Sequence, residues 1–166
     1  MEEALLEAEE ALRQGEFPVG CVMVHGGRIV ARGGRRQSGG GAGQTTNELD
    51  HAEILALRAL QAIEPRVPPA QVTVYATLEP CLMCYAALLI SGVRSIVYAY
   101  EDAMGGGTSL RLEQLLPLYR VMEVSITRHV LRERSLALFQ QFFRTGANPY
   151  LGDTMLAAYT LSQPTS

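Results

Sequence analysis

Apolar residues recur at Ala4, Leu5, Ala8, Ala11 and Leu12, a spacing of three to four that places them on one helical face and predicts an amphipathic helix over 2–14, stopped by Gly15. The pattern then shortens. Two β-branched runs at 18–24 and 28–32 flank His25-Gly26-Gly27, where a glycine pair supplies the positive φ of a tight hairpin turn. The stretch 33–47 holds six glycines together with Arg35, Arg36, Gln37 and Ser38, cannot bury apolar surface, and reads as a surface loop. Helical periodicity resumes at His51 with Ile54, Leu55, Leu57 and Leu60, and Asp50 stands where an N-cap acceptor is expected. Prolines 65, 68 and 69 end that helix, and Val72-Thr73-Val74-Tyr75-Ala76 reads as a buried strand. Pro80 precedes a helix over 81–91 that Gly92 closes. A strand at 95–100, a short helix at 110–118, a strand at 121–127 and a helix at 131–143 follow. After Gly146-Ala147-Asn148-Pro149, a last short helix spans 151–161. Five strands interleaved with helices predict an α/β fold of three layers, α/β/α, with helices on both faces of one sheet. Sites in such folds gather at strand ends and helix starts.

The chain has 166 residues, 48% of them apolar, which suits a core that needs no disulfide framework. Residues 1–146 read as the main domain, and 147–166 as a C-terminal extension packed on it. No uninterrupted apolar stretch reaches the length of a membrane span, and no leader-like segment is present, so a cytoplasmic protein without membrane contact is expected. Three cysteines, an odd number, point to metal binding or reactivity rather than pairing. The net charge of −3 lacks the basic excess expected of a protein held to phosphate backbones by charge. All of the basic residues are arginine, a feature attributed to composition bias; Arg32, Arg35 and Arg36 read first as a solvated basic loop.

The chemistry lies in His51-Ala52-Glu53 and Pro80-Cys81-Leu82-Met83-Cys84, each opening a predicted helix and so able to aim at a common point. Cys81 and Cys84, three residues apart, share a helical face. Two thiolates and an imidazole make three zinc ligands and leave the fourth tetrahedral position open, the mark of a catalytic site. Zinc lowers the pKa of water in that position towards about 7. Glu53 is too close to His51 in sequence to be a comfortable ligand, yet is placed to move protons between that water and a leaving amine. This is the signature of the zinc nucleobase deaminases. The alternative is a closed structural site with Cys21 as fourth ligand, although a cysteine inside the apolar run 19–24 reads as a small hydrophobe. His25 and His129 lack ligand partners at useful spacing. The glycine-rich loop has neither the spacing nor the lysine of a phosphate-binding loop.

The chain resembles the cytidine and deoxycytidylate deaminase superfamily, and within it the bacterial tRNA adenosine deaminases, from the first helix to about Arg144. The resemblance is carried by Phe17-Pro18-Val19-Gly20-Cys21-Val22-Met23-Val24, His51-Ala52-Glu53-Ile54-Leu55-Ala56-Leu57-Arg58, Thr77-Leu78-Glu79-Pro80-Cys81-Leu82-Met83-Cys84, Asp102-Ala103, Gly107-Thr108-Ser109-Leu110 and Phe142-Phe143-Arg144. It implies a five-stranded mixed sheet flanked by helices, one Zn2+ per subunit on His51, Cys81 and Cys84, Glu53 as proton shuttle, hydrolytic loss of ammonia, and a homodimer. Candidate substrate contacts are Arg35, Ala52, Glu79, Pro80 and Tyr85. Three departures stand out. Arg35 replaces the family's base-contacting asparagine, and an arginine cannot accept a hydrogen bond. The loop before His51 is longer and glycine-rich. After Arg144 the basic tail of the RNA-editing relatives gives way to a mostly neutral segment, which removes counterion-release affinity. Two substrates therefore remain open: adenosine in an RNA loop, and a free nucleobase or nucleoside.

Overall fold

The computed structural model describes residues 1–39 and 46–164. Its one sheet has strand order β2-β1-β3-β4-β5. β1 (Gly20–His25) forms a hairpin with β2 (Arg28–Gly34) through Gly26 and Gly27, at φ 55° and 76°. β1 also runs antiparallel to β3 (Thr73–Leu78), whereas β3, β4 (Ser95–Tyr100) and β5 (Ser125–Thr127) are mutually parallel. The sheet is thus mixed, as expected. A parallel pair needs a crossover, and α3 (Leu82–Ile90) provides it between β3 and β4.

Helices cover both faces. α1 (Glu2–Arg13) and α5 (Arg132–Thr145) lie on one, α2 (Ala52–Gln61) and α3 on the other. The stripe predicted for α1 is its buried face: Ala4, Leu5, Ala8 and Ala11. Two glycines set how closely the helices approach. A Cβ on Gly20 would stand 2.1 Å from the carbonyl oxygen of Ala4 in α1, and one on Gly33 would stand 2.1 Å from that of Ala52 in α2. Small residues on the facing helices complete the fit, for Ala8, Ala52 and Ala56 are fully buried.

The sequence reading needs several corrections. Gly33 and Gly34 are strand residues opposite Cys21 and Gly20: the ladder satisfies their backbone, and close packing against α2 requires glycine at Gly33. The glycines at 40, 41 and 43 fall outside the described residues. Asp50 does not cap α2. His51 is the N-cap residue, and Asp50 accepts instead from Arg58 at 2.7 Å and from Asn47 at 2.8 Å. The helix expected at 110–118 divides into a single 3-10 turn at Leu112–Gln114 and the short α4 (Pro117–Arg120), since Pro117 starts a helix more readily than it continues one. β5 is shorter than its apolar run.

The segment after α5 folds back over the body. Asn148 donates to the carbonyl of Gly15 at 2.8 Å, and Tyr150 packs its ring 5.3 Å from that of Phe17. Thr154 caps α6 (Met155–Ser162), in which Leu156 is buried and Thr160 meets the Tyr100 hydroxyl at 3.1 Å. No described helix is long and apolar enough to cross a membrane.

Candidate active site

His51 and Cys81 occupy equivalent places on neighbouring helices. Both have extended backbones (φ −65° and ψ 156° for His51; φ −65° and ψ 170° for Cys81), yet their carbonyls accept the first helical bonds, from Leu55 at 3.0 Å and Tyr85 at 2.8 Å. An N-cap side chain leans back over its helix start, so both can face the same point. Cys84 approaches from within the first turn of α3. The Nδ1 atom of His51 lies 3.6 Å from Cys81 Sγ and 3.5 Å from Cys84 Sγ. All three ligand atoms lie within 4.8 Å of one another, and they form the metal-capable group among the described residues.

These distances test the fit to zinc. Tetrahedral angles with Zn–N of about 2.05 Å and Zn–S of about 2.3 Å require an N···S separation of about 3.6 Å. The residues fit. Cys21 is outside the group, fully buried among the core side chains of β1, which leaves three protein ligands rather than four.

The charge state of the three groups follows from their contacts. The neighbouring Cys84 and His51 together outweigh burial and bring Cys81 down to about 4. Cys84 is pushed up by its neighbour Cys81 and by burial. The Cys81 bond raises His51. Glu53, 3% exposed, sits in the first turn of α2 with Oε2 accepting from Cys84 Sγ at 3.5 Å. Burial pushes its carboxyl above the usual range, as suits a group that must hold a proton near neutral pH.

Beyond the ligands lies a chamber of about 60 Å³. One water occupies about 10–15 Å³ by this measure, and pockets for drug-sized ligands hold about 300–1,000 Å³, so the chamber is the size of a few waters and far smaller than a drug-sized pocket. Its polar lining includes Arg35, Glu53, Glu79 and Asp102; Phe17, Val19, Leu78, Tyr150, Leu151 and Leu156 close its apolar side.

The candidate substrate contacts separate here. Arg35 and Ala52 line the chamber. Glu79 lines it too, but both carboxylate oxygens already hold backbone: Oε1 accepts from the Thr108 amide at 3.2 Å and from its hydroxyl, and Oε2 from the Asp102 amide at 3.3 Å. Glu79 thereby fixes the 102–108 loop against the start of α3, where Gly107 donates to the Pro80 carbonyl at 2.9 Å. Pro80 and Tyr85 do not line the chamber. Tyr85 belongs to the core, 2% exposed, because position 85 turns into the sheet. The sequence reading did not name Phe17, Val19, Leu78, Asp102, Tyr150, Leu151 or Leu156 as lining residues; for the last three only an apolar C-terminal run was visible.

Residues 1–100 match the family described as the cytidine and deoxycytidylate deaminase zinc-binding region. The chain belongs to this family. It is a zinc-dependent hydrolytic deaminase, with His51, Cys81 and Cys84 positioned as zinc ligands. The deaminase is 32% identical over 147 residues to the tRNA-specific adenosine deaminase of Streptococcus pyogenes serotype M18, covering 88% of this chain and 89% of that one. A solved structure from a study of A-to-I editing by tRNA:A34 deaminases superposes with TM-score 0.68 at 31% identity, covering 83% of this chain and 96% of the other. Guanine deaminase from Nitrosomonas europaea gives TM-score 0.65 at 23% identity, over 85% and 81% of the two chains, a likeness of fold alone.

Proposed function

We propose that this deaminase acts on a nucleobase amine presented by a free base or nucleoside, with Glu53 as its proton carrier. The observation that carries the substrate reading is the wall of the chamber. Tyr150, Leu151 and Leu156, from the chain's own C-terminal segment, form part of that wall and keep the chamber small. The net charge of −3 gives a phosphate backbone no compensating attraction.

In the reaction, water adds to the ring carbon that bears the amine, and the C–N bond of the resulting tetrahedral carbon breaks to release ammonia. When bound by His51, Cys81 and Cys84, zinc supplies the Lewis acidity that makes water nucleophilic at neutral pH. Glu53 carries one proton of the attacking water to the ring nitrogen and then the second, from the new hydroxyl, to the departing amine, which leaves an oxo group beside a ring N–H; its burial keeps both protons from bulk solvent. Ala52 and Arg35 border the ring, and the apolar wall excludes competing water.

The similarity to tRNA-specific adenosine deaminases favours a second reading, adenosine in an RNA loop. One assay separates the two: ammonia release by zinc-loaded enzyme on free bases and nucleosides and on an adenosine-containing anticodon stem-loop, with Glu53→Gln as the blank. Turnover of the small substrates supports the proposal, and turnover of the stem-loop alone overturns it. We also propose that a second copy covers the exposed apolar side chains Leu82 and Ile90 of α3, giving a homodimer in a cytoplasmic enzyme. Light scattering across a dilution series tests this; a monomer at micromolar concentration refutes it.

A further inference from the structure

At about 60 Å³ the chamber has room for a few waters and not for a nucleobase, so part of its wall must give way before a ring can meet Glu53. Most of that wall is fixed. Phe17, Val19, Leu78 and Leu156 belong to the core, His51, Glu53 and Cys81 stand at helix starts, and Glu79 pins the loop that carries Asp102. What remains is the strap 147–153 between α5 and α6, which brings in Tyr150 and Leu151 and covers Arg35.

One polar cluster holds the strap down. The Tyr150 hydroxyl donates to Glu48 Oε2 at 2.8 Å and accepts from Arg35 Nη2 at 3.3 Å, and the same Nη2 reaches Glu48 at 3.4 Å. Burial and the bond to Glu48 push Tyr150 up to about 12, so its hydroxyl stays a donor at neutral pH. Two further ties are the edge-on contact of Tyr150 with Phe17 and an exposed bond from Asn148 to the Gly15 carbonyl.

This closed arrangement contains its own opposition. The Arg35 side chain is 2% exposed, and its Nη1 is buried without a hydrogen-bond partner. A buried donor left unpaired is costly, and more so on a charged group. Leu151 holds φ 56°, a left-handed backbone unfavourable for a residue with a Cβ. Glu48 is 58% exposed, so water competes for its ion pair. Lifting the strap hydrates Nη1 and frees Leu151, which offsets the bonds given up. At the α5 end, Gly146 at φ 59° has nothing within 4 Å of a Cβ position, a joint with room to turn.

We propose that residues 147–153 form a gate over the active site, latched by Arg35, Tyr150 and Glu48, which lifts to admit the base and closes over it. A free base and a base in an RNA loop need the gate alike.

The test compares zinc-loaded parent protein with Tyr150→Phe, which keeps the ring and removes the hydroxyl, and with Glu48→Ala, an exposed position where folding is not at stake. Amide exchange is followed at Tyr150 and Gly152, whose N–H groups have acceptors in Asn148 and Pro149, and in β3. Site access is followed as the rate at which 1,10-phenanthroline, a flat aromatic chelator, strips the zinc. In the parent, the strap amides are expected to exchange at least about 100-fold faster than those of β3, through local opening. Each variant should speed strap exchange and zinc stripping by about 3- to 10-fold, as for loss of one hydrogen bond, with β3 unchanged. Strap amides as slow as β3 in the parent make the strap a fixed wall and overturn the gate. Strap exchange unaltered in both variants, or raised only together with β3, overturns the latch. Faster strap exchange with unaltered stripping shows that the strap does not control entry and overturns the proposal as well. If Tyr150→Phe does not fold, Glu48→Ala decides by itself.

Discussion

Gly33 of β2 lies against the carbonyl of Ala52, the residue that follows the zinc ligand His51, with space there for a hydrogen and none for a methyl group. The position of the imidazole is therefore set by a residue with no side chain. Gly33→Ala is expected to force α2 away from the sheet, costing about 1–3 kcal/mol of stability and weakening zinc binding. Gly20→Ala, equally crowded but against α1 on the other face, should cost similar stability with little loss of zinc. Urea melts and zinc competition titrations compare the two; equal loss of zinc affinity would contradict the argument.

The ligand set makes a second prediction. His51→Ala and Cys84→Ser should each lose bound zinc on dialysis, while Cys21→Ser, inside the core, should retain one zinc per chain at some cost in thermal stability. Metal analysis after gel filtration decides it, and a metal-free Cys21→Ser protein would point to a fourth cysteine ligand.

Glu53→Gln keeps the shape of the side chain and removes its ability to carry the proton. Zinc content should stay the same, and turnover should fall about 100- to 10,000-fold, the range for loss of a general acid–base group. Turnover within a few-fold of the parent would take Glu53 out of the proton path.

Away from the site, Glu101 ties α5 and α6 to the end of β4. Although burial opposes it, the hydrogen bonds from Arg132 (2.8 Å from Nε to Oε2) and from Tyr159 (2.7 Å) bring Glu101 down to about 2. A depressed carboxyl contributes stability above its unfolded pKa, near 4.5, and loses that contribution as pH falls towards 2. Partial exposure limits the pair to about 1 kcal/mol, or about 2–4 °C. Glu101→Gln should melt lower than the parent by this amount at pH 7, with the gap closing between pH 4.5 and 2. A gap that stays constant down to pH 2 would show that the ion pair is not its source.

What is legible in the sequence follows from the range of the interactions involved. His51, Glu53, Cys81 and Cys84 are legible because their chemistry is uncommon and each pair is local, with the helix start supplying the geometry. The stripes of α1 and α2 are legible for the same reason. Gly33 reads as loop because glycine frees a backbone in solution but serves close packing in a sheet, and only the position of Ala52 distinguishes the two roles. Arg35 reads as a solvated surface charge because the groups that bury it, Tyr150 above all, lie in the C-terminal segment. Glu79 reads as a substrate contact since nothing local shows that the 102–108 loop claims both its oxygens.

The division of the zinc ligands between α2 and α3 also bears on biosynthesis. His51 and Cys84 meet only after β3 has paired beside β1 and α3 has packed next to α2. A chain emerging from the ribosome therefore displays its histidine before its thiolates, and the three ligands reach their native geometry only when α2 and α3 lie side by side. Zinc binding and the packing of these two helices are thus linked, each stabilising the other.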